Sequence, residues 1–446
     1  MNKTVKSILI GFVATTSIIA SIALINRLSS KAEIKDPIVK NDSDYVSVKR
    51  LSNRVFETNY YRNYDEEFAI HYLENKYDDW FTGGGCTAMA KQVSNGDVVV
   101  ARNMDLYITD KPCFVVRTKM PGRKETIGLT YNAFSGESAD KVRNHGVLKD
   151  VYNMLPAMQT DVMNSEGFYI EINMRNATYK NRLIRQGEEP SIYSVFSCSG
   201  TNPGKKRIMA SMLPEYLGTR CSTISEALNI ARNDLDIYTP SQNNSLDWNF
   251  AFMMADSSGR YGVMEIAKNQ IVFTEGKAAE DDQDEEATLG AIQANYYLNE
   301  DFSSEEEMGA GYGRIEYLQD LYSDIETEQE MMDTIKDVSY FQAYDRENCK
   351  FDSRSEFVGY HVPDSYFDEL SVWTSDYVLD NDNLDEVNDY IDWCKERIAY
   401  YQDLGKLEEV GLFWNSTFTL TANVTKRTIN VRFFEDNNNY LELNFK

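Results

Sequence analysis

The sequence predicts an α+β fold in which antiparallel β-sheets are layered with helices. Three segments are typical of hairpins or paired strands: residues 86–105 around an Asn-Gly turn, residues 248–273, and the closing residues 416–445. Segments with helical apolar spacing lie between them. Strands that return through short turns form antiparallel sheets, and clustered helices between them favour the α+β class.

The first 26 residues predict an export segment. Lys3 and Lys6 precede the uncharged run SILIGFVATTSIIASIALIN, residues 7–26. A positive start followed by an apolar stretch is typical of a signal peptide, and about 20 apolar residues also suffice for a membrane-spanning helix. A cleaved signal and a retained anchor are both open, and either places the body of the protein outside the cytoplasm.

Residues 27–85 are interpreted as a linker and pro-segment that packs on the main domain. Residues 27–50 are polar and weakly patterned. Within residues 51–81, aromatic side chains recur at helical spacing and predict a short amphipathic helix. These spaced side chains are Tyr61, Phe68, His71 and Tyr72.

After residue 85 the chain alternates between predicted strands and helices. The hairpin around Asn95-Gly96 comes first, because Asn-Gly is a strong turn signal. A strand in FVVRTKMPG follows, then a turn at Gly167 with an alternating strand after it, and later a hairpin whose tip is Asp256-Ser-Ser-Gly. Helices are predicted over about 204–217, 222–234, 313–337 and 383–404, the last within a helical insertion over 350–411.

The composition argues against several classes of function. The formal net charge is −26, so the surface repels phosphate backbones and anionic lipid, and nucleic-acid binding is not expected. Six cysteines occur without CxxC or Cys/His spacing, which argues against a zinc site and a disulfide framework. The acidic stretches 279–286 and 380–386 do not fit an EF-hand loop and are interpreted as solvated loops. No metal or organic cofactor is therefore expected.

The stretch FTGGGCTAMA, residues 81–90, places a glycine cluster directly before a nucleophile. If the Gly85–Cys86 bond is cleaved, Cys86 carries both a thiol and a free α-amine. An α-amine has a pKa of about 7.7–8.0, so it can accept the thiol proton near neutral pH. Glycine before the cysteine also permits the strained backbone that attack on the preceding carbonyl requires. The alternative is a glycine-rich turn before a buried strand cysteine.

Two charged residues support the catalytic interpretation. Arg102 and Asp105 lie 16 and 19 residues after Cys86, and the hairpin returns them to its side. A carboxylate there binds and orients the new ammonium, while a guanidinium favours the thiolate by charge pairing. The three histidines lie in no recognisable motif, and GxSxG, P-loop and GxGxxG patterns are absent from the sequence.

These residues resemble the choloylglycine hydrolase group of N-terminal nucleophile (Ntn) hydrolases, which includes bile salt hydrolases, penicillin V acylases and N-acylethanolamine amidases. The resemblance rests on Cys86-Thr87, the return strand NGDVVVARNMD and their spacing. MNSEGFYIEIN is similar to the strand of that group that ends in an oxyanion asparagine, here Asn173. QANYYLN and GYGRIEYL are similar to the segments of its second asparagine and its arginine, here Asn295 and Arg314.

The resemblance implies a four-layer αββα sandwich with two antiparallel sheets, formed by residues 86–446. Its catalytic set is Cys86, Arg102, Asp105, Asn173, Asn295 and Arg314. It implies an exported, self-processing amidase that cleaves a linear, non-peptide C–N bond of an N-acyl small molecule, such as a conjugated bile salt, penicillin V or an N-acyl amine. The alternatives are an acyltransferase of the acyl-CoA:6-aminopenicillanic acid acyltransferase type and a non-catalytic surface interaction protein. The protein is expected to contact the membrane only through its N-terminal segment.

The sequence departs from the pattern of that group at two places. Asn173 stands one position from the usual spacing after Gly167, and Asn295 lies much closer to Arg314 than in bile salt hydrolases. The shorter spacing implies that the specificity loops of those enzymes are largely missing here. The acyl group, the amine and the oligomeric state stay open at this level.

Overall fold

The computed structural model describes the chain in segments between Val48 and Phe445. The described residues are 48–52, 54–76, 84–107, 112–131, 139–147, 149–175, 204–238, 249–267, 270–276, 288–295, 298, 312–338, 344–345, 350–351, 414–433 and 440–445. The predicted export segment, both acidic stretches and the predicted helix 383–404 lie outside them, as does the predicted insertion apart from residues 350–351. Within these segments no helix has the length and apolar character needed to cross a membrane.

The larger of the two main sheets has ten strands. They are β1 (Val48–Arg50), β2 (Val55–Tyr60), β5 (Cys113–Thr118), β6 (Thr126–Tyr131), β7 (Asp161–Asn164), β8 (Phe168–Glu171), β9 (Asn173–Arg175), β12 (Asn249–Asp256), β13 (Tyr261–Ala267) and β14 (Gln270–Glu275). Their order is β1-β2-β5-β6-β7-β8-β12-β13-β14, and β9 pairs with β12. The pairing of β2 with β5 is parallel, and the other described pairs of this sheet are antiparallel.

The smaller main sheet has six antiparallel strands. In spatial order they are β15 (Ile292–Gln293), β3 (Gly84–Gln92), β4 (Val98–Tyr107), β18 (Trp414–Asn423), β19 (Thr428–Phe433) and β20 (Leu441–Asn444). Two further pairs stand apart, formed by β10 (Lys206–Met209) with β11 (Leu235–Tyr238) and by β16 (Tyr344–Asp345) with β17 (Lys350–Phe351).

The predicted hairpins are confirmed. The turn between β3 and β4 closes with a hydrogen bond from the Val93 N–H to the Asp97 carbonyl at 2.9 Å, and Gly96 adopts a left-handed φ of 88°. The Asn95 side chain accepts the Asp97 N–H at 2.9 Å, which explains why Asn-Gly forms this turn. The β12–β13 hairpin turns after Asp256 as predicted, and the closing segment forms β18, β19 and β20.

Helices cover the outer faces of both main sheets. They are α1 (Glu66–Lys76), α2 (Ala139–His145), α3 (Lys149–Met154), α4 (Leu213–Gly218), α5 (Ile224–Asn233), α6 (Tyr312–Tyr322) and α7 (Glu328–Asp337). The Asn103 amide of β4 donates to the Ile335 carbonyl of α7 at 2.6 Å, and the Asn164 amide of β7 donates to the Gly218 carbonyl of α4 at 2.7 Å. Each sheet therefore carries its own helical layer.

The central core lies between the two sheets. Ala88 and Val100 of the smaller sheet join Met163 and Met253 of the larger sheet in one buried apolar cluster. The next residue of β12, Met254, belongs to a second cluster under α1, α4 and α5, because successive residues of a strand point to opposite faces. The predicted αββα order and the α+β class are confirmed by this layering.

The helix predictions are correct in part. The helix over 222–234 is confirmed as α5, which Thr223 caps by accepting the Glu226 N–H at 3.2 Å. The first half of the helix predicted over 204–217 is wrong, because residues 206–209 pair with β11 as a strand. The helix predicted over 313–337 is two helices, because Thr327 begins α7 with a capping box.

The chain before Cys86 takes part in the larger sheet. Strand β2 pairs with β5 over six residues, and its Val55 and Phe56 are fully buried. The short helix predicted within residues 51–81 is present as α1, with Ala69 and Leu73 buried against the domain. The part of the predicted linker and pro-segment that the structure describes is thus packed on the remainder of the fold.

Candidate active site

The β3–β4 hairpin places Cys86 opposite Met104 and Ala88 opposite Arg102. Directly paired residues of an antiparallel hairpin share a face, and Nη2 of Arg102 lies 3.5 Å from Sγ of Cys86. Gly84 and Gly85 are themselves part of the paired strand β3. These two glycines therefore form extended backbone. The sequence had instead suggested a strained backbone directly before the cysteine.

The Arg102 guanidinium is held by two buried carboxylates of the larger sheet. Its Nη1 lies 2.5 Å from Oδ1 of Asp161, and its Nε lies 3.0 Å from Oε2 of Glu171. The second contact is an ion pair whose alignment falls outside that of a hydrogen bond. Nη2 also donates to the Ile172 carbonyl at 2.7 Å. Although burial disfavours the cation, the charges of Asp161 and Glu171 raise the pKa of Arg102 well above its ordinary value.

The backbone of Cys86 is held from another direction. Its N–H donates to Oδ1 of Asn295 at 3.0 Å, and the same oxygen accepts a bond from Nη2 of Arg314 at 3.0 Å. Nη1 of Arg314 donates to Oγ1 of Thr87 at 2.5 Å and lies 3.4 Å from the Cys86 carbonyl oxygen. One amide and one guanidinium therefore fix the nitrogen and the carbonyl of the residue that carries the thiol.

Asp105 lies on the helix-facing side of the hairpin. It pairs with Gly85 across the strands, and its Oδ2 lies 3.3 Å from Nη1 of Arg314. Its Oδ1 accepts a hydrogen bond from the Ser416 hydroxyl. Ser416 opposes Asp105 at the point where the register of β18 shifts, and such bulges re-aim a side chain.

The two faces of the hairpin thus have different chemistry. The thiol of Cys86 and the Arg102 guanidinium point between the sheets, whereas Asp105, Thr87 and Arg314 meet on the helix side. The backbone nitrogen of Cys86 joins the two groups through Asn295. This arrangement separates a cation beside the sulfur from a carboxylate near the nitrogen.

Asn173 is the sixth predicted residue, and it begins β9 directly after Ile172. Because the Ile172 carbonyl accepts from Arg102, Asn173 lies next to the site. The side chain is fully buried, yet neither its Nδ2 nor its Oδ1 has a hydrogen-bond partner among the described residues. Buried amides are nearly always paired, so a free buried donor beside a thiol is suited to a ligand oxygen.

The thiol is protonated in this intact chain. Burial raises the pKa of Cys86 to about 11; the Arg102 charge lowers it, and the Asp105 and Glu171 charges raise it. The predicted charge pairing with Arg102 is therefore present, but it does not outweigh burial and the two carboxylates. Only a thiolate is strongly nucleophilic, so this form of the site is at rest.

Four contributors were missed by the sequence analysis: Asp161, Glu171, Thr87 and Ser416. A signal existed for Glu171, since a carboxylate inside the apolar run FYIEIN is expected to have a buried partner. Ser416 has no such signal, because polar residues flank it, and Asp161 has none because it follows the polar pair Gln159 and Thr160. No group of residues suited to hold a metal ion occurs within the described segments.

The other described cysteines, Cys113 and Cys221, are buried and form no disulfide. Burial raises the pKa of Cys221 to about 12. The hydrogen bonds and ion pairs of the site described above surround Cys86 and involve neither of these two cysteines.

The chain matches no family model, and no curated protein matches it significantly. Among solved structures, it is similar to a mutant of conjugated bile acid hydrolase from Clostridium perfringens, with 12% identity and a TM-score of 0.40, over 81% of this chain and 92% of that chain. A second variant of that hydrolase has 12% identity and a TM-score of 0.38, over 80% and 92%. Penicillin V acylase from Agrobacterium tumefaciens has 11% identity and a TM-score of 0.34, over 78% and 83%. These proteins are of the kinds that the sequence motifs resemble.

Proposed function

We propose that this protein is a self-cleaving cysteine amidase whose nucleophile, Cys86, becomes the N-terminus of the active chain. One observation carries the proposal: the Cys86 N–H is held by Asn295 while its thiol lies beside Arg102. On cleavage the same nitrogen becomes an α-amine beside the same acceptor. Because Arg314 already fixes the orientation of the Asn295 oxygen, this acceptor needs no rearrangement when the peptide nitrogen becomes an amine.

Self-cleavage requires attack of the Cys86 thiol on the Gly85 carbonyl. The peptide C–N bond breaks as the thioester forms, which releases the Cys86 amine, and water then hydrolyses the thioester to a Gly85 carboxylate and the free Cys86 thiol. The resting thiol, with its pKa of about 11, makes this step slow unless a proton acceptor is present. The strand pairing of Gly85 with Asp105 holds this bond in place within the site.

In the cleaved enzyme the α-amine is the base. It takes the thiol proton, the sulfur adds to the substrate carbonyl, and the ammonium returns the proton to the leaving nitrogen as the C–N bond breaks. Water then hydrolyses the thioester and releases the acid. We assign the role of oxyanion donor to the amide of Asn173, and its lack of a hydrogen-bond partner among the described residues supports this role. Such a donor is worth about 2.7–4 kcal/mol of barrier.

The substrate class is a linear amide that joins an acyl group to a small amine or amino acid. Bile acid conjugates and penicillin V, on which the neighbouring structures act by name, are the first two to test. Transfer of the acyl group to an amine instead of water shares the same thioester, and amines added to the assay separate the two outcomes. The uncharged N-terminal run supports export of the enzyme, with the body outside the cytoplasm.

The decisive experiment combines N-terminal sequencing with a Cys86→Ala variant. We expect mature protein to contain the fragment Cys86–Lys446 and to hydrolyse N-acyl amides, while the variant stays full length and inactive. Cys113→Ala is the matched control, because Cys113 is a buried strand cysteine outside the site. Cleavage or turnover that survives in Cys86→Ala refutes the proposal. Comparison of protein from the culture medium, membrane and cytoplasm tests export.

A further inference from the structure

Two buried carboxylates contact the single positive charge of Arg102. They are Asp161 and Glu171. A third buried carboxylate, Asp105, lies 3.3 Å from the second guanidinium, Arg314, on the other face of the hairpin. Buried charges are costly unless they are paired, so the placing of two carboxylates on one guanidinium calls for a functional explanation.

Two of the three carboxylates act on one side chain. Arg102 comes from the smaller sheet, whereas Asp161 and Glu171 come from adjacent strands of the larger sheet. The pair of ion contacts therefore crosses the space between the sheets, where the Cys86 thiol also lies.

Each carboxylate is itself fixed by uncharged donors. Asp161 accepts from the Tyr169 hydroxyl at 2.7 Å and from the Thr160 hydroxyl at 2.7 Å. Glu171 accepts from the Gln293 amide and from the Met253 N–H. Carboxylates held in this way have little freedom to move, so Arg102 has one orientation available.

We propose that Asp161 and Glu171 are positioning residues that clamp Arg102 with Nη2 toward the Cys86 sulfur and offset its charge. This proposal rests on the proposed function. In the intact chain the clamp keeps the sulfur a thiol and protects it from alkylation and oxidation. In the cleaved chain the amine takes the thiol proton, so a thiolate and an ammonium form together and the net charge of the site is unchanged. The clamped guanidinium then lies beside the thiolate.

The described charged groups of the site come from several elements, and those on β4, β7 and β8 that share the inter-sheet face with the sulfur are Arg102, Asp161 and Glu171. Arg102 and Asp105 lie on β4, Asp161 and Glu171 on β7 and β8, and Arg314 on α6. Removal of one carboxylate leaves the Arg102 charge less compensated, which favours the thiolate. Loss of the same contact also frees the guanidinium to rotate. The clamp therefore predicts opposite changes in two readouts: a more acidic thiol and slower amide turnover.

The test uses Glu171→Gln and Asp161→Asn, each of nearly unchanged shape. The rate of Cys86 alkylation by iodoacetamide is measured against pH, with peptide mass spectrometry to assign the site, on both uncut and cleaved protein. We expect the profile to move about one pH unit lower in either variant, while kcat for amide hydrolysis falls at least tenfold. Glu57→Gln, which removes a carboxylate 2.8 Å from Arg117 in the larger sheet, is the matched control and should leave both readouts unchanged.

A profile that stays in place or moves to higher pH in the folded variants overturns the clamp. Two variants are used so that misfolding of one leaves the other to decide, with near-ultraviolet circular dichroism as the check of folding. Failure of the clamp and failure of the proposed function give different results. A chain that never cleaves at Cys86 but shows the shift refutes the proposed function and retains the charge relation, whereas a cleaved, active chain without the shift refutes the clamp alone.

Discussion

The backbone N–H of Cys86 donates to Oδ1 of Asn295 at 3.0 Å across 209 positions of the chain. The same oxygen accepts from Arg314, so its orientation is set by a guanidinium before any substrate arrives. The Asn295 oxygen, fixed in this way, can accept a hydrogen bond from the peptide nitrogen of the intact chain and from the ammonium of the cleaved chain. The site is therefore organised around the nitrogen of Cys86 as much as around its sulfur.

Asn295→Ala should slow self-cleavage and turnover. The change removes one acceptor from the Cys86 nitrogen and one partner from Arg314, and a hydrogen bond to a charged group is worth about 1.5–3 kcal/mol. We expect kcat/KM to fall about 10- to 150-fold, as measured by initial rates on the cleaved enzyme. Asn430→Ala, an asparagine whose amide instead donates to Glu328, is the control that should leave the rate unchanged. A rate in Asn295→Ala equal to wild type would contradict this use of the acceptor.

Asn173→Ala should separate activity from stability. Its amide has no hydrogen-bond partner among the described residues, so its loss breaks no described bond, and the free energy of unfolding should change by less than about 1 kcal/mol. Turnover should fall about 10²- to 10³-fold if the amide donates to the oxyanion.

Asn164→Ala provides the opposite case. The Asn164 side chain donates to Gly218 and Cys221 and accepts from Glu166 and Phe168, so its loss should destabilise the fold by about 2–4 kcal/mol. Urea unfolding and initial rates are measured on both variants. Equal stability losses in the two would show that Asn173 has a structural role.

Ser416→Ala should weaken the hold on Asp105. The hydroxyl donates to Oδ1 of Asp105, and the bulge of β18 aims it there. We expect about a tenfold fall in kcat with little change in KM, because the carboxylate would lose orientation toward the Cys86 nitrogen. Ser257→Ala is the matched control, since that hydroxyl bonds the Glu166 carbonyl in an exposed turn. A fall in stability without a fall in kcat would assign Ser416 to the fold alone.

The fragment that ends at Gly85 should stay bound after cleavage. Strand β2 is hydrogen-bonded to β5, and the Tyr60 hydroxyl donates to the Tyr152 carbonyl at 2.7 Å. We expect the two fragments to co-elute in size-exclusion chromatography and to separate under denaturing conditions. A larger fragment that elutes alone in native buffer would contradict this.

Acid should release that fragment. Burial alone would raise the pKa of Glu66, but bonds from Lys206 and Arg123 and the charge of Arg220 lower it to about 2. Because the folded pKa lies below the unfolded value, this contribution is complete above about pH 4.5 and is lost as the pH falls toward 2. Glu66→Gln should release the fragment at a higher pH than wild type in size-exclusion runs at stepped pH. Exposed Glu67→Gln is the control, and identical release curves for wild type and Glu66→Gln would exclude this ion pair as the cause.

Local contacts were the ones that could be predicted. Arg102 and Asp105 were expected beside Cys86 because one tight hairpin joins them, and Asn95-Gly96 identifies that hairpin from sequence alone. Strand β10 was mistaken for helix because its parallel partner β11 follows only after the two helices α4 and α5, and short apolar segments do not reveal their partner. Strands β2 and β6 were not predicted for the same reason, since each is defined by pairing with β5.

The α+β class, the hairpin that carries Cys86, and the two charged residues Arg102 and Asp105 on opposite faces of its return strand follow from the sequence alone. The contacts of these two residues with other elements depend on the folded molecule: Asp161 and Glu171 cross from the other sheet to hold Arg102, and Arg314 meets Asp105 on the helix side. Strand pairing across a short turn is a local interaction, so residues that are close in the sequence specify it. Contacts between packed sheets join distant parts of the chain, and their partners are chosen by how the whole core closes.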